Sequence, residues 1–418
     1  ITNNPDRRSE PYHIVAAIDN LKILDSIKLI SEDEIEIIHK GEFITKIEAQ
    51  TLLQSGLSIV ITELLDFEGD EIYFRNEPGL IGRSYQEVVL AYNTSAVIGF
   101  LTYEGKTLLN PPSTTVLGEQ DQIIAVSHDD DTVKMSDQSH PPIDDNVIHS
   151  EFLESLQVKH ILMLGWNQNS LKLVQHLSDY TPDGSTITVA ASCKDSQLQV
   201  EQFVTTTNLT LEHREIDPTD RRQLESIPFE SVDHVVILPC YERFSGKLLA
   251  IGQLDASTLV TLLNVRDIRQ KGGHSLTITS EILDVENRTL IETVDEDDFV
   301  VSEHLISLAL AQISEHKGLG SVFNSLFDTQ GAEIYLKPVT NYVKTGQPVN
   351  FFTVVVAALR QNETAIGYRI NAQRNRVGDS DDNENMKYDI VINPDKRVAL
   401  DFVDEDKIIV PSEGIVES

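Results

Sequence analysis

The chain has 418 residues, which is too long for one ordinary core and corresponds to two to four domains of roughly 100 to 200 residues. Its 33 basic and 67 acidic residues give a net charge of −34, which argues against nucleic acid or an anionic membrane as a partner and favours cations. Two cysteines, Cys193 and Cys240, are too few for a disulfide framework or a cysteine-based zinc site.

The first part of the chain is predicted to begin with a strand, PYHIVAAI, at residues 11–18. Apolar residues at helical spacing predict an amphipathic helix at 43–54, and the stretch LLDFEGDEIYF at 64–74 predicts a helix end that turns into a strand. Short β runs follow, such as AVIGFL at 96–101. Residues 129–157 are rich in charge and proline, which is typical of a linker.

The middle of the chain alternates between apolar strands and helical stretches. Because the connections are long enough for crossover helices, this alternation predicts a parallel, doubly wound, Rossmann-like sheet. A long helix is expected to end at Gly272 and Gly273. The predicted strands are HILMLGW, STITVAAS, LTLEHREI, DHVVILPC and HSLTITSEI.

The last part of the chain is predicted to contain two helices and a small α+β lobe. The first helix is long and amphipathic, within EDDFVVSEHLISLALAQISEHKG at 296–318, and the second is short, at 319–328. Residues 332–410 carry short β runs, and we include FFTVVVAAL at 351–359 among them. That run is also the longest strongly apolar one, and it is about half the length of a membrane-spanning helix.

Two parts of the chain repeat each other. The corner at 64–74 recurs as SLFDTQGAEIYL at 325–336, and the flanking segments correspond over more than 100 residues. The second copy is preceded by about 115 residues of strands and helices and the first by only about eleven. The first copy has either lost its nucleotide-binding half, or that half was removed upstream of residue 1. Since a strand left at the edge of a missing sheet would be prone to aggregation, we expect removal. The residues that match at a constant offset of 262 are Asp66, Gly69, Glu71, Ile72 and Tyr73 with Asp328, Gly331, Glu333, Ile334 and Tyr335.

This architecture resembles tandem RCK domains, the regulators of potassium conductance that form cytoplasmic gating rings. Segments such as DASTLVTLLNVRDI, DFVVSEHLISLALAQISE and GAEIYLKP are similar to the CASTOR/POLLUX ion-channel family and its prokaryotic relatives. The resemblance implies an α/β fold with two RCK units in tandem, each with a Rossmann-like sheet, a crossover helix pair and a C-terminal lobe. The first unit would be truncated at its N-terminus.

The resemblance also implies a function and partners. The chain would be the ligand-sensing, non-enzymatic gating-ring part of a potassium or calcium-linked cation channel, on the cytoplasmic face of a membrane. Four subunits would form a ring of eight RCK units below a transmembrane pore encoded upstream, with Ca²⁺ as the ligand and with helices 43–54 and 299–314 as assembly interfaces.

The same resemblance and the repeat set the predicted domain boundaries. Residues 1–128 would be the first RCK unit without most of its Rossmann half, and 129–157 an acidic, proline-containing linker. Residues 158–327 would be the second Rossmann-like domain with its interface helices, and 328–418 the second C-terminal lobe.

The turn after the strand at 160–164 is where a Rossmann fold would hold a dinucleotide. Gly165 is present, Trp166 follows it, and Asn167 and Ser170 stand where the other two glycines would be. Their side chains would crowd a pyrophosphate, so NAD binding is not expected and the cleft is vacant or repurposed. Trp166 would be a lid on this cleft or a plug that fills it.

Calcium takes about 6 to 8 oxygen ligands, so clusters of acidic residues are its candidate sites. The first corner is the preferred one because its acids are dense and Asp70 becomes Ala332 in the second copy. The other two clusters have simpler explanations, a helix start and a solvated loop. The three clusters are Asp66, Glu68, Asp70 and Glu71; Glu292, Asp295, Glu296, Asp297 and Asp298; and Asp379, Asp381, Asp382 and Glu384.

No catalytic motif is recognised, and the twelve histidines lack ligand spacing. An oxidoreductase would need the intact glycine turn and an acid–base pair. The alternative function is a soluble, nucleotide-sensing regulator of a potassium transporter of the TrkA type, which is also a tandem RCK protein. It too would need an intact glycine turn and a ribose-binding acid.

Overall fold

The computed structural model describes residues 10–19, 34–137, 140–149, 157–193, 196–203, 209–240, 250–288, 297–328, 331–371 and 388–413. Its strands are β1 (Ile14–Ile18), β2 (Ile35–His39), β3 (Glu71–Arg75), β4 (Ala96–Leu101), β5 (Thr107–Leu109), β6 (Gln122–Ser127), β7 (His160–Leu164), β8 (Thr186–Ala190), β9 (Thr210–Arg214), β10 (His234–Ile237), β11 (Thr277–Ile282), β12 (Asp298–Val301), β13 (Ala332–Pro338), β14 (Pro348–Asn350), β15 (Gly367–Asn371), β16 (Tyr388–Ile392), β17 (Ala399–Asp401) and β18 (Lys407–Glu413). Its helices are α1 (Lys40–Leu53), α2 (Leu57–Leu65), α3 (Tyr85–Leu90), α4 (Ser170–Tyr180), α5 (Ser196–Gln202), α6 (Arg221–Leu224), α7 (Ile251–Gly272), α8 (Val285–Arg288), α9 (Ser302–Glu315), α10 (Gly318–Leu326) and α11 (Phe351–Arg360).

The chain forms two compact units, and it enters each of them twice. The first unit comprises Ile1–Ser58 and Ser155–Lys317, and the second comprises Ile59–Glu154 and Gly318–Ser418. Each unit therefore combines segments from both copies of the repeat. The domain boundaries predicted from the sequence divide the chain between the two copies of the repeat, in chain order. They stay a prediction.

A six-stranded parallel sheet is the centre of the first unit, in the order β12-β11-β10-β7-β8-β9. The strand order reverses at β7, as in a doubly wound fold, so the predicted Rossmann-like sheet is confirmed. Helix α7 ends at Gly272 and is capped by Gly273, whose φ of 63° is left-handed, as the two glycines predicted.

Successive residues of the sheet belong to two hydrophobic clusters, one on each face. Ile161 and Met163 of β7 belong to one cluster, together with Ala49 of α1 and Leu173 of α4. Leu162 and Leu164 belong to the other, together with Leu262 and Val265 of α7. Helix α1, from the first copy, therefore covers a sheet that is built from the second part of the sequence.

The first copy also contains a two-stranded counterpart of the edge of this sheet. Strands β1 and β2 pair in parallel, as β11 and β12 do. Helices α1 and α9 follow β2 and β12 directly and contact each other. The two predicted interface helices thus meet inside the first compact unit. The structure begins α9 at Ser302, because Asp298–Val301 pairs with β11 as a strand and is not part of the helix predicted for 299–314.

Besides the two-stranded sheet β14-β17, the second unit contains two four-stranded antiparallel sheets of identical design. Their orders are β3-β6-β4-β5 and β13-β18-β15-β16, so the strands occupy matching places in the two copies. Gly99 and Gly367 match as well, because a Cβ on either would lie within 2.3 Å of a carbonyl oxygen on the neighbouring strand. The predicted duplication is confirmed at this level.

The two lobes exchange equivalent hydrogen bonds within the second unit. Asn110 Nδ2 donates to the Asn362 carbonyl oxygen at 2.8 Å, and Asn393 Nδ2 donates to the Thr94 carbonyl oxygen at 3.0 Å. Both asparagines have left-handed φ, 42° for Asn110 and 48° for Asn393, and both precede a proline. The lobes therefore pair through corresponding turns.

One secondary-structure prediction in this unit is wrong. Residues 351–359 form helix α11, not a strand, and every residue from Phe351 to Leu359 is buried. An apolar run without alternation can be either a buried strand or a buried helix, and its β-branched valines favoured the strand. Asn350 decides the matter locally, since its side-chain oxygen accepts from the Thr353 N–H and caps the helix.

The stretch predicted as a linker contributes to the core of the second unit. Val133 and Val147 are fully or almost fully buried in the cluster that contains Tyr85, Phe351 and Phe402. In the described ranges, no helix combines the length and apolar character needed to cross a membrane.

Candidate ligand sites

The turn after β7 begins with a glycine that cannot be replaced without strain. Gly165 has a φ of 96°, and a Cβ there would lie 2.2 Å from the Leu238 carbonyl oxygen at the end of β10. Its N–H donates to the Ala190 carbonyl oxygen at 3.1 Å. This glycine is needed for close approach to the neighbouring strands, whatever the cleft binds.

The two residues that replace the other glycines hold the turn itself. The Asn167 N–H donates to Ser170 Oγ at 2.8 Å, and Asn167 Nδ2 donates to Glu281 Oε2 at 3.2 Å. Ser170 is fully buried, and the exposed fraction of Asn167 is 8%. Both side chains therefore occupy the region where a Rossmann fold brings its backbone close to pyrophosphate.

Trp166 is part of the core. It belongs to the cluster that contains Met163 and Leu173, and its Nε1 donates to Gln199 Oε1 at 3.0 Å. Its expected role as a lid on the cleft or a plug that fills it stays a prediction.

A small cavity lies at the carboxyl ends of the strands. Its volume is about 30 Å³, close to that of one water molecule, and Gly165, Ser192, Asp217 and Cys240 are among the residues that line it. Asp217 Oδ1 accepts from the Thr219 hydroxyl at 2.7 Å. The expectation that NAD does not bind stays a prediction, and this cavity is far smaller than a dinucleotide.

The two cysteines are joined in a disulfide, which the sequence analysis did not predict. Cys193 follows β8 and Cys240 follows β10, and their Cα atoms are 7.0 Å apart. Because β8 and β10 both flank β7, the parallel order brings the carboxyl ends of these strands to the same edge of the sheet.

The acids of the first corner, at residues 64–74, make different hydrogen bonds. Glu71 Oε1 accepts from the Tyr73 hydroxyl at 3.0 Å, and Glu333 accepts from Tyr335 at 2.7 Å in the second copy. Because both copies make this bond, it is a structural feature of the corner. Asp66 Oδ1 accepts from the backbone N–H of the next residue at 2.7 Å, and Glu68 is exposed.

Asp70 is the acid at this corner that reaches the other lobe. Its Oδ1 accepts from Asn393 Nδ2 at 3.0 Å. Burial raises the pKa of Asp70, against the opposing effects of that hydrogen bond and of His128. Burial also raises the pKa of Glu63, and the charges of Asp66 and Asp70 add to this rise. Glu63 is thus a member of the acidic corner that the sequence analysis missed, because it precedes the corner on α2.

The four predicted calcium ligands do not converge on one point. In the parts of the chain that the structure describes, the one group of three acids whose oxygens lie within 4.8 Å is Asp129, Asp130 and Asp131, and all three are exposed. The site formed by Asp66, Glu68, Asp70 and Glu71 therefore stays a prediction and would need the corner to rearrange around an ion.

The remaining acidic clusters are only partly described. Asp297 pairs with Arg266 and Arg269, and its side chain is fully buried. Asp298 accepts from the Gly56 N–H and from Ser58 Oγ. Both acids are committed to structural contacts. Outside the described residues lie Glu292, Asp295 and Glu296, and also Asp379, Asp381, Asp382 and Glu384.

Buried ionisable groups that the sequence analysis did not single out include Glu48, Glu281 and Lys396. Glu48 lies in α1, and Glu281 lies in strand TITSEI. Because both elements carry other polar residues as well, neither glutamate stands out in the sequence as a buried charge, although such residues are rarely buried without a partner.

Comparisons with known proteins agree with this architecture. Residues 41–144 match the family described as Castor and Pollux, part of voltage-gated ion channel. The chain is 28% identical over 399 residues to "Probable ion channel CASTOR" of Oryza sativa subsp. japonica, covering 87% of this chain and 44% of that protein. It is 26% identical over 398 residues to "Ion channel CASTOR" of Lotus japonicus, covering 87% and 46%. The chain thus spans less than half the length of these relatives.

Among solved structures, the chain is similar to the human SLO3 gating ring. The TM-score is 0.69, the identity is 14%, and the match covers 97% of this chain and 82% of the SLO3 chain. At that identity the match concerns the fold alone. Taken with the sequence relatives, it confirms the predicted resemblance: the chain is similar in sequence to the CASTOR and POLLUX ion channels and similar in fold to a gating ring.

Proposed function

We propose that this chain is the ligand-sensing gating-ring part of a cation channel, with Ca²⁺ as the ligand that favours the open pore. The observation that supports this most is the internal pairing of two RCK copies, visible as two lobes with the same strand order. The sequence relatives are named ion channels. The proposed chain has no enzymatic role and lies on the cytoplasmic face of the membrane.

Four chains would form a ring of eight RCK units attached to a transmembrane pore domain of the same protein. Ligand binding would shift the population of the ring between two arrangements and so act on the pore. The permeant ion is proposed to be potassium or a cation whose flux is linked to calcium.

The proposed calcium site is the first corner, with Asp66, Glu68, Asp70 and Glu71 as ligands. The pKa of Glu63 is raised by burial and then by the charges of Asp66 and Asp70, which marks a place where a cation would relieve repulsion between acids. An ion that takes the Asp70 carboxylate would compete with Asn393 for it. Calcium would thereby weaken a hydrogen bond between the two lobes of the second unit.

The assembly is tested by size-exclusion chromatography with light scattering. A tetramer, or a dimer at lower concentration, is expected. A strict monomer at high concentration would count against the gating-ring function.

The ligand is tested by thermal unfolding with Ca²⁺, NAD or ATP. Ca²⁺ should raise the melting temperature, since a ligand that binds only the folded state stabilises it. Asp70→Asn should reduce this effect, because the amide can keep a hydrogen bond to Asn393 but lacks the charge. The exposed Glu104→Gln is the matched control. Stabilisation by NAD or ATP without any effect of Ca²⁺ would favour the transporter regulator instead.

A further inference from the structure

The disulfide between Cys193 and Cys240 lies at the carboxyl edge of the central sheet. Cys193 is the third residue after β8, and Cys240 is the third residue after β10. Because β7 lies between those two strands, the bond spans the turn that follows β7. The disulfide therefore joins the two sides of the cleft in which a Rossmann fold binds its ligand.

The turn after β7 contacts both of the segments that the disulfide joins. On one side, the Gly165 N–H donates to the Ala190 carbonyl oxygen at 3.1 Å. On the other side, a Cβ on Gly165 would lie 2.2 Å from the Leu238 carbonyl oxygen. Cys193 Sγ itself lies 3.5 Å from the carbonyl oxygen of Trp166, the next residue of the turn. The turn is thus packed between two segments that one covalent bond holds together.

The two cysteines differ in their access to solvent. The exposed fraction of Cys193 is 9%, and Cys193 belongs to the hydrophobic cluster that contains Trp166. Cys240 is only partly buried and lines the small cavity beside Gly165. Thiol–disulfide exchange begins when a thiolate attacks one sulfur of the bond, so access decides which sulfur is attacked. A thiolate from solvent therefore attacks Cys240 and releases Cys193.

The setting of this bond favours a reversible role over a structural one. Disulfides are rare in reducing compartments, and those that form there are usually transient and redox-sensing or catalytic. This step rests on the proposed function, which places the chain on the cytoplasmic face of a membrane. The central sheet has a hydrophobic cluster on each face, so it does not need a crosslink to fold as small disulfide-rich domains do.

We propose that Cys193 and Cys240 are a reversible oxidation site that controls the cleft. In the oxidised form the bond holds the ends of β8 and β10 on the turn, and in the reduced form the two segments can separate. The reduced form is also accommodated, because the Cys193 thiol can donate to the Trp166 carbonyl oxygen at the observed 3.5 Å.

The co-reactant is a small-molecule thiol and its disulfide. The first thiolate attacks Cys240 Sγ and forms a mixed disulfide, while Cys193 leaves as a thiolate and takes a proton. A second thiolate attacks the mixed disulfide at the sulfur of the small molecule, so Cys240 leaves as a thiolate, takes a proton, and the small molecule becomes a disulfide. Two electrons and two protons thus pass to the protein, and the reverse sequence restores the bond.

The proposal is tested on the full chain in mixtures of reduced and oxidised glutathione, with free thiols alkylated and counted by mass spectrometry. Chains with no alkyl group and chains with two should interconvert reversibly across these mixtures. The fluorescence of Trp166, the only tryptophan, should rise along the same curve on reduction, because an adjacent disulfide quenches an excited indole ring. A pair that stays oxidised in millimolar reduced glutathione, or reduced in millimolar oxidised glutathione, would overturn the proposal.

Hydrogen exchange tests whether the bond controls the cleft. In the reduced form the Gly165 N–H, which is bonded to Ala190, should exchange on the order of tenfold faster, because the segments beside it can open without breaking a covalent bond. Strand β4 of the second unit is the internal control and should exchange equally in both forms. Equal exchange at Gly165 in the two forms would overturn control of the cleft by this pair.

Cys193→Ser and Cys240→Ser are the matched variants, since neither can form the bond. Each should show fast exchange at Gly165 in oxidising and reducing buffers alike. Exchange that still depends on the buffer would contradict the assignment. The comparison of the two forms of the unmodified chain does not require either variant to fold.

These measurements are independent of calcium and of assembly. A monomeric chain, or one that does not respond to Ca²⁺, would count against the gating-ring function without changing the redox titration. A pair that does not titrate would overturn the oxidation site and leave the gating-ring function in place.

Discussion

Lys396 shows how a single buried charge can be accommodated without a carboxylate. Its Nζ donates to the carbonyl oxygens of Val89 at 3.1 Å and Tyr92 at 2.6 Å, at the end of α3. Burial lowers the pKa of Lys396 to about 7. A neutral amine still has two N–H groups, which is enough for the two carbonyl oxygens.

Lys396→Met should destabilise the second unit by about 2 kcal/mol, because two carbonyl oxygens lose their donor. The lysine's pKa is lower in the folded state than in the unfolded state, so the unfolded state binds more protons between pH 7 and the ordinary pKa near 10. The stability advantage of the unmodified protein over the variant should therefore grow from pH 7 to pH 9. Urea unfolding at the two pH values measures it, and a difference independent of pH would contradict the assignment.

Gly165 provides a second prediction for a single residue. Gly165→Ala should destabilise the first unit by about 3 kcal/mol, because it combines a left-handed φ with a contact of 2.2 Å to a carbonyl oxygen. Gly184→Ala is the matched control in the same unit, since its φ is 89° but the nearest atom is 3.8 Å away. We expect the control to cost about 1 kcal/mol. Chemical denaturation measures the loss of unfolding free energy in both variants. Equal losses in Gly165→Ala and Gly184→Ala would show that the contact with the carbonyl oxygen adds no cost.

The sequence shows which types of residue lie in the cleft but does not predict the contacts that they make. That Asn167 and Ser170 replace glycines could be read directly, and so could the consequence for a dinucleotide. The bond between Asn167 and Ser170 is local, but the bond from Asn167 to Glu281 joins residues that are 114 positions apart, for which spacing gives no information. The hydrogen bond between the Glu48 and Glu281 side chains was hidden for the same reason.

At the scale of elements, the two copies begin corresponding helices with different caps. Ser84 caps α3, with Glu87 completing a capping box, and Asn350 caps α11. Since Ser and Asn are both good N-caps, the helices keep matching positions although their sequences differ.

Asn350→Ala should lower the stability of the second unit by about 1 kcal/mol, through loss of the bond to the Thr353 N–H. Asn350→Ser should retain most of it. Thermal and urea unfolding of the two variants measure the effect. If Ala and Ser behave alike, the cap does not stabilise α11.

The failure to predict α11 and the success with the central sheet have one explanation. The strands β7 to β11 are separated by helices and turn residues, so their limits were visible. The run at 351–359 is buried on all sides, so its apolar residues have no period that could distinguish helix from strand.

At the scale of the whole molecule, the repeat predicted the number and order of the elements but not their distribution between compact units. Sequence comparison treats the copies as consecutive, whereas α1 of the first copy packs on the sheet of the second. In the sequence, only the hydrophobic face of α1 indicates that this helix packs against another part of the protein. The same face would have been equally compatible with packing against another subunit.

The interleaved path of the chain has a consequence for its synthesis. Helix α1 leaves the ribosome long before strands β7 to β12 exist, and at about 5 to 20 residues per second its apolar face would wait roughly 10 to 50 seconds for the sheet. We therefore expect residues 34–157 expressed alone to be insoluble, and co-expression with residues 158–418 to restore solubility. Full solubility of the first fragment alone would contradict this. Newly made chains should accordingly depend on chaperones that bind exposed apolar helices.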